Sequence, residues 1–407
     1  MRPKIFTLKN LALLLLALTI FTGLALWGSK GFPLPFGGVA STLNKIVFVS
    51  DRDGQPDLYL ADTKSKEIVR LTHDKAEEGE LAFSPDGQKV AYTANIAGSV
   101  RQLCLTEAGP DRKVIGLTRT QSTKERPVFG NDNKIYFLDS GKIARTTTDA
   151  SDSDAIFPTV EGKRNNQALA ALFTEGGITR YCLTPDGTGV LAAVKREQTE
   201  VLVLYQRDAN AHESGTLVLI GFAQKLHFQF LHDGSLTVLF QGGTPLKEPL
   251  QLAVRNGEEE GKALAGQLEQ MLDELGGRAE ALEGQNILVH FDAELKVTGG
   301  LPIPFPADGF SLAPNDQTIA IFTTQARKGQ AGGIYLGSFA AQQEPFQRIS
   351  ETPIDSLTWS PNSTQFAYTS QGDLYVYSVT GSEAPINLTQ GKGKASSPVW
   401  SPVLSEK

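Results

Sequence analysis

The histidines are the first candidates for chemistry, because imidazole ligates metals and transfers protons near neutral pH. None stands at a spacing such as His-x-x-x-His that would bring two of them to one metal ion. The sequence also lacks a Gly-x-Ser-x-Gly nucleophile elbow. These observations predict a non-enzymatic protein without metal or cofactor, while a site formed by convergence of distant residues remains an alternative. The five histidines are His73, His212, His227, His232 and His290.

A second candidate is the acidic segment Asp51-Arg52-Asp53-Gly54-Gln55-Pro56-Asp57. Carboxylates that alternate ahead of a glycine can wrap Ca²⁺, but Gly54 comes earlier than the sixth position that an EF-hand loop requires. A tight turn between two strands needs Asp and Gly equally. We therefore expect a turn here, with calcium binding as the alternative.

Composition narrows the classes of partner. The 407 residues carry a formal net charge of −7, whereas nucleic acids and anionic membrane surfaces require a cationic face. We therefore expect no nucleic-acid binding. Cys104 and Cys182 are the only cysteines, and their separation in the sequence favours two buried thiols over a disulfide.

An amphipathic segment at about 256–284 is the candidate surface for a partner. Glu258, Glu259 and Glu260 precede apolar residues that recur every three or four positions, which predicts a helix with one apolar face. The helix either covers the rim of its own domain or docks another protein. The predicted partner-binding residues are Leu264, Leu268, Met271, Leu272 and Leu275.

The elements around these residues repeat. At seven positions a large apolar residue is followed by a small or neutral residue and then by turn formers, and six of the seven precede an apolar, strand-like run. The pattern predicts that each unit opens with a β-hairpin. The positions are Phe83-Ser84-Pro85-Asp86, Phe129-Gly130-Asn131-Asp132, Leu183-Thr184-Pro185-Asp186, Phe230-Leu231-His232-Asp233, Leu312-Ala313-Pro314-Asn315, Trp359-Ser360-Pro361-Asn362 and the truncated Trp400-Ser401-Pro402.

Further similarities define the rest of each unit. Asp57-Leu58-Tyr59-Leu60 resembles Asp373-Leu374-Tyr375-Val376, and Leu-Thr pairs close several units. Short strands in units of about 45–55 residues indicate an all-β propeller. The C-terminal Val399-Trp400 lacks its following strand, which Lys45–Ser50 can supply, so we predict that pairing of the two ends closes the ring. Seven blades are expected, with six as the alternative.

The Ser-Pro-Asp-Gly hairpins, Ser50-Asp51-Arg52-Asp53-Gly54 and the Asp-Leu-Tyr strands resemble the repeats of the TolB-type, WD-like β-propeller family. The resemblance extends over about residues 45–407 and is strongest around Phe83 and Trp359. It implies the propeller fold. The chain lacks room for the α/β domain that precedes the TolB propeller, so the resemblance does not imply the partners of TolB.

The N-terminus predicts a membrane segment. Arg2, Lys4 and Lys9 precede an apolar run from Leu11 to Gly28, which reads as a signal anchor with the C-terminal side exported. We expect an anchor at 1–30, a linker at 31–44 and the propeller with its helical insertion at 45–407. The expected location is the cytoplasmic membrane, with the propeller on the periplasmic side; cleavage of the signal would make the protein secreted.

These expectations combine into one functional hypothesis. The protein is a membrane-tethered, non-enzymatic scaffold that binds protein partners of the cell envelope. The alternative is a propeller enzyme or ligand-binding protein that acts on extracellular glycan or peptide at the mouth of the channel.

Overall fold

The computed structural model describes residues 44–95, 100–108, 113–158, 170, 172–173, 176–207, 215–254, 285–325, 332–338, 346–381 and 383–402. The described residues all belong to one compact unit, Leu43–Lys407. No described helix is long and apolar enough to cross a membrane. The predicted anchor at 1–30 and the predicted helix at 256–284 lie outside the described residues.

The described chain is built from β-strands. In chain order they are β1 (Lys45–Ser50), β2 (Asp57–Asp62), β3 (Ile68–Arg70), β4 (Glu77–Phe83), β5 (Lys89–Asn95), β6 (Arg101–Glu107), β7 (Ile115–Gly116), β8 (Lys124–Phe129), β9 (Ile135–Asp139), β10 (Lys142–Thr146), β11 (Ser153–Phe157), β12 (Ile178–Leu183), β13 (Gly189–Arg196), β14 (Thr199–Arg207), β15 (Gly215–Phe230), β16 (Leu236–Val254), β17 (Asn286–Phe291), β18 (Val297–Pro302), β19 (Gly309–Leu312), β20 (Thr318–Phe322), β21 (Ile334–Ser338), β22 (Phe346–Ser350), β23 (Ser356–Trp359), β24 (Gln365–Ser370), β25 (Asp373–Ser378), β26 (Ile386–Asn387) and β27 (Ala395–Trp400).

The strands form antiparallel sheets that follow one another along the chain. Within the described residues, the first sheet has the order β27-β1-β2-β3, the second β4–β7, the third β8–β11, the fourth β12–β18, the fifth β19–β22 and the sixth β23–β26. The fourth sheet has seven strands and each of the others has four. All seven predicted hairpin positions lie where the first strand of a four-strand set meets the second.

The fourth sheet is large because two of its strands are long. β15 has 16 residues and β16 has 19. Residues Gly215–Ala223 of β15 lie between β14 and the distal part of β16, whereas Lys225–Phe230 pairs with Leu236–Gln241, which also pairs with β17. The two strands approach closely at Gly243, where a Cβ would collide with the backbone of Phe222 and Ala223. β15 is thus the last strand of one four-strand set and the first of the next.

Apolar cores lie between consecutive sheets. On β5, Tyr92 faces Val47 and Leu58 of the first sheet, while its neighbour Ala91 faces Ile135 and other residues of the third. Successive side chains of a strand point to opposite faces. Both faces of this sheet are therefore covered, which explains why its second strand is apolar without alternation.

The C-terminal strand completes the first sheet. β27 pairs antiparallel with β1 through Trp400 opposite Ile46 and Val399 opposite Val47. Trp400 is 4% exposed and packs with Phe48 and with Leu374 of the sixth sheet. The last sheet in the chain therefore packs against the first.

The repeated motifs have repeated hydrogen bonds. Thr72 and Thr389 each accept a bond from the backbone N–H of a leucine on the third strand of their sheet, at 2.8 and 2.9 Å. Each hydroxyl also donates to the aspartate that begins that strand, Asp57 or Asp373. The similarity of the Asp-Leu-Tyr and Leu-Thr segments thus reflects one junction between the third and fourth strands.

Candidate functional site

Bulges on the first strands of three neighbouring sets are the starting point of the site. The pairing shifts between Glu78 and Leu81 on β4, between Glu125 and Val128 on β8, and just before Arg180 on β12. A bulge bends the strand and re-aims the side chains at that point. β4 contacts β8, and β12 contacts β15. The bulges therefore re-aim side chains of neighbouring first strands toward the same region of the protein.

Two contacts tie these bulges together across three sheets. The Glu80 carboxylate accepts a hydrogen bond from the backbone N–H of Arg126, whose φ of 52° is in the left-handed region. The carbonyl oxygen of Arg126 accepts a bond from the Tyr181 hydroxyl at 2.8 Å. Because the backbone of Arg126 is held on both sides, the position at which its side chain leaves the strand is fixed.

Glu200 plays a similar role between the two sets of the fourth sheet. It lies near the start of β14 and is 7% exposed. One carboxylate oxygen accepts from the Thr179 hydroxyl at 2.7 Å and the other from the Leu226 N–H at 2.8 Å. These bonds satisfy the buried carboxylate of Glu200. They also fix the positions of Arg180 and His227, because Arg180 directly follows Thr179 in the sequence and His227 directly follows Leu226.

The cations of this region lack such partners. Within the described residues, the guanidinium groups of Arg126 and Arg180 make no hydrogen bond and no ion pair, and neither does the exposed ammonium of Lys225. Burial lowers the pKa of Arg180 to about 10, with the charge of Arg126 acting in the same direction and Glu200 and Glu80 opposing it. Arg180 is therefore still charged at neutral pH, at an electrostatic cost that Glu200 and Glu80 offset only in part.

His227 completes the group. Its Nε2 is buried and has no hydrogen-bond partner among the described residues, and its ring lies against Gly309 of the fifth sheet. Burial holds the pKa of His227 well below its usual value, and the charges of Arg180, Lys225 and Arg126 add to the effect. The imidazole is therefore neutral at neutral pH and can donate from one ring nitrogen.

We call Arg126, Arg180, Lys225 and His227 the inner cationic cluster. Guanidinium and ammonium groups only donate hydrogen bonds, so the cluster offers donors and positive charge to a ligand. Glu80 and Glu200 accept from protein groups as described above. The arrangement is suited to bind an anionic group.

The residues that the sequence singled out for chemistry lie elsewhere. The His232 ring bonds to Asp316 at 3.0 Å, and the His290 ring to Thr237 at 3.3 Å. His73 is exposed. His212 and the predicted partner-binding set, Leu264, Leu268, Met271, Leu272 and Leu275, lie outside the described residues. His227 is thus the one described histidine that the structure places in the cluster.

The acidic segment has protein partners. Asp51 accepts from the backbone N–H of Lys394 at 2.6 Å, Asp53 from the Tyr59 hydroxyl at 2.7 Å, and Asp57 from the Arg70 guanidinium at 2.5 Å. Among the described residues, no three His, Cys, Asp or Glu side chains are grouped as metal ligands. The segment forms the turn between β1 and β2 of the first sheet.

The two cysteines are free thiols. Cys104 is buried and Cys182 is half-buried, and no disulfide joins them. Burial raises the pKa of each to about 12, with Asp74 and Glu78 adding to the effect at Cys104. Both are therefore uncharged at neutral pH, as expected for thiols that pack in a core.

Sequence reasoning did not find the cluster, because its members are separated along the chain. A local signal was nevertheless present: Gly79 and Pro127 interrupt strand-like runs at the bulges of β4 and β8. Such residues inside a strand commonly mark a bulge. The interruptions could have directed attention to Glu80 and Arg126.

No protein-family model and no curated protein matches the sequence. Among solved structures, the chain is similar to an oligogalacturonate lyase from Vibrio parahaemolyticus, with a TM-score of 0.53, 10% identity, and coverage of 83% of this chain and 87% of the lyase. It is also similar to the dihydro-heme d1 dehydrogenase NirN, with a TM-score of 0.51, 12% identity, and coverage of 90% and 77%. TolB from Acinetobacter baumannii gives a TM-score of 0.47 at 14% identity, with coverage of 89% and 68%.

The fold is a β-propeller. The expected family resemblance is thereby confirmed at the level of the fold. At such low identity, the propeller neighbours provide no residue-by-residue correspondence for the inner cationic cluster.

Proposed function

We propose that this chain is a seven-bladed propeller, closed by β27, that binds a protein partner outside the cytoplasm. Six hairpins and the pairing of β27 with β1 begin seven four-strand sets, which supports this number of blades, with β15 shared between two sets. The pairing of Trp400 with Ile46 supports the closure. A closed ring leaves no blade uncovered and presents its first strands around a common centre.

The inner cationic cluster is the observation that carries the proposed binding function. Natural proteins rarely leave buried charged or polar groups without partners, because each costs free energy of folding. The Nε2 of His227 is buried without a partner among the described residues, and the side chains of the half-buried Arg126 and Arg180 beside it also lack partners there. A binding site explains this arrangement, since a ligand would supply the missing acceptors.

The proposal includes a tether and a second contact surface. The apolar run 11–28 would anchor the chain in the cytoplasmic membrane, with the propeller on the periplasmic side. The amphipathic segment 256–284, which the sequence places between β16 and β17, would dock the same partner through its apolar residues. Function then depends on two surfaces, one charged and one apolar.

Affinity purification tests the binding function. The tagged full-length protein is crosslinked in cells, solubilised and compared with a Δ256–284 variant and an Arg126→Gln/Arg180→Gln variant. We expect a specific partner whose recovery drops in both variants and is retained in Arg119→Gln. Arg119 is a suitable control because it is exposed and its side chain also has no described ion pair. Failure to recover any specific partner from wild type would refute the proposal.

Topology is tested separately. A reporter that is active only outside the cytoplasm, fused after Pro402, should be active in the wild type and lose activity when 1–30 is deleted. Release of the fusion into the soluble fraction would show that the signal is cleaved, and the anchored form would then be wrong.

A second candidate function is an enzyme or a ligand-binding protein that acts on an acidic glycan or peptide. A neutral, buried imidazole beside two guanidinium groups favours it, because such groups can bind an acid and move a proton. The likeness to a lyase of an acidic oligosaccharide adds support for this candidate at the level of the fold. Turnover of such a substrate that is lost in His227→Gln would establish this function in place of the scaffold.

A further inference from the structure

We propose that the inner cationic cluster is a carboxylate site, which receives an acidic side chain of the partner. The inference rests on the proposed function and adds the chemistry by which the partner is recognised.

The charge balance selects the kind of anion. Glu80 and Glu200 both accept hydrogen bonds from protein groups, whereas the side chains of Arg126, Arg180 and Lys225 have no described hydrogen bond or ion pair. A carboxylate brings one negative charge to these cations, whereas a phosphate dianion brings two close to Glu80 and Glu200. Repulsion from the two glutamates therefore favours a monoanion over a dianion.

The donors fit the same group. A guanidinium presents paired N–H donors that match the two oxygens of a carboxylate. Arg180 is the charged group with the largest effect on His227, so the imidazole lies within its electrostatic reach. The Nε2 of His227, which has no described partner, can donate to the same ligand when it carries the proton. The structure thus supplies both charged and neutral donors.

Burial gives the site its driving force. Desolvation lowers the pKa of Arg180, which means that burial disfavours its charge by more than Glu200 and Glu80 stabilise it. A carboxylate that enters would stabilise this charge and raise the pKa of the nearby imidazole. A change in the pKa of His227 therefore reports directly whether a carboxylate occupies the site, and no assay of activity is needed.

Histidine NMR of the full-length protein in detergent micelles is the test. The probes are an N-acetylated, C-amidated peptide of alternating Asp and Glu, its Asn and Gln counterpart, galacturonate and inorganic phosphate. The His227 signal is assigned with His227→Gln. We expect the acidic peptide to raise the pKa of His227 by about one pH unit, and the uncharged peptide to have no effect.

Matched variants locate the response. Arg180→Gln and the exposed Lys225→Gln should each weaken acidic-peptide binding, by about tenfold for Arg180→Gln because a charged hydrogen bond is lost. Arg119→Gln should bind as the wild type does. The melting temperature of each variant is measured in parallel, and the Lys225 variant keeps the test valid if the Arg180 variant is unstable.

The other outcomes overturn specific parts of the proposal. A response to phosphate that exceeds the response to the peptide would refute the carboxylate assignment. A response to galacturonate alone would refute the protein source of the carboxylate. No response to any probe, together with a partner that is recovered by crosslinking, would refute this inference and leave the proposed binding function intact.

Discussion

Glu78 should make the stability of the protein fall as the pH rises from about 5 to 9. It lies on β4, is 3% exposed, and neither carboxylate oxygen has a hydrogen-bond partner within the described residues. Burial raises the pKa of Glu78 to about 8, and the charge of Asp74 raises it further; the nearby Thr72 hydroxyl is the weakest of the opposing contributions. The folded protein therefore holds this carboxyl in its neutral form at pH values where the unfolded chain has lost the proton.

The magnitude follows from proton linkage. Between the ordinary pKa of 4.5 and about 8, the unfolded chain binds fewer protons at Glu78, so unfolding becomes more favourable as the pH rises. At about 1.4 kcal/mol per pKa unit, the upper limit is about 5 kcal/mol. Residual hydration and relaxation of the site reduce this figure, and we expect about half of it.

Glu78→Gln isolates the effect, because the amide resembles the protonated acid in shape and does not titrate. Urea unfolding of the wild type and the variant, followed by circular dichroism, is compared from pH 5 to pH 9. The variant should resemble the wild type near pH 5 and become more stable by about 2 to 3 kcal/mol near pH 9. The matched control is Glu77→Gln, an exposed neighbour on the same strand. A Glu78 difference that stays constant from pH 5 to pH 9 would refute the reasoning.

Three further predictions concern the core and the repeated junctions. Trp400→Ala should lower the free energy of unfolding by about 3–5 kcal/mol, because Trp400 is 4% exposed between the first and sixth sheets; an unchanged denaturation midpoint would contradict the packing of the C-terminal strand. Thr389→Val should cost about 1–3 kcal/mol by leaving the Leu374 N–H and the Asp373 carboxylate without this partner, and Thr389→Ser should recover most of the loss in the same assay. Cys104 and Cys182, whose pKa values burial raises to about 12, should react with a maleimide at pH 8 only when urea unfolds the protein; rapid labelling of the native protein would refute their protection.

Local motifs made the repeated parts of the fold predictable. Ser84 and Thr184 occupy equivalent places before a turn, and each hydroxyl bonds to the aspartate two residues later and to the strand that follows. Gly87 and Gly187 then adopt φ values of +64° and +72°, which the tight turn requires. Every partner in this unit lies within about five residues, so the sequence contains the whole interaction.

The pairing of the long strands β15 and β16 was harder to predict from the sequence. Their apolar residues predict strands, yet nothing local shows that Gly215–Phe230 continues from one four-strand set into the next. That continuity depends on the pairing of Gly215–Ala223 with β14 and of Lys225–Phe230 with the proximal part of β16. Pairing between distant segments is set by tertiary context, which a single sequence expresses weakly.

The inner cationic cluster shows the same limit at the level of function. Arg126 and Arg180 are separated by more than fifty positions in the sequence, and each alone reads as an ordinary charged residue near a strand. Their importance arises from their surroundings: Glu80 and Glu200 accept hydrogen bonds from backbone and hydroxyl donors, and the described residues show no ion pair between these carboxylates and either arginine. A sequence records which charges exist, whereas only the fold shows which of them are paired. The same reasoning applies to His227, which the sequence ranked no higher than the other four histidines and whose buried, unpartnered Nε2 now makes it the best reporter of binding.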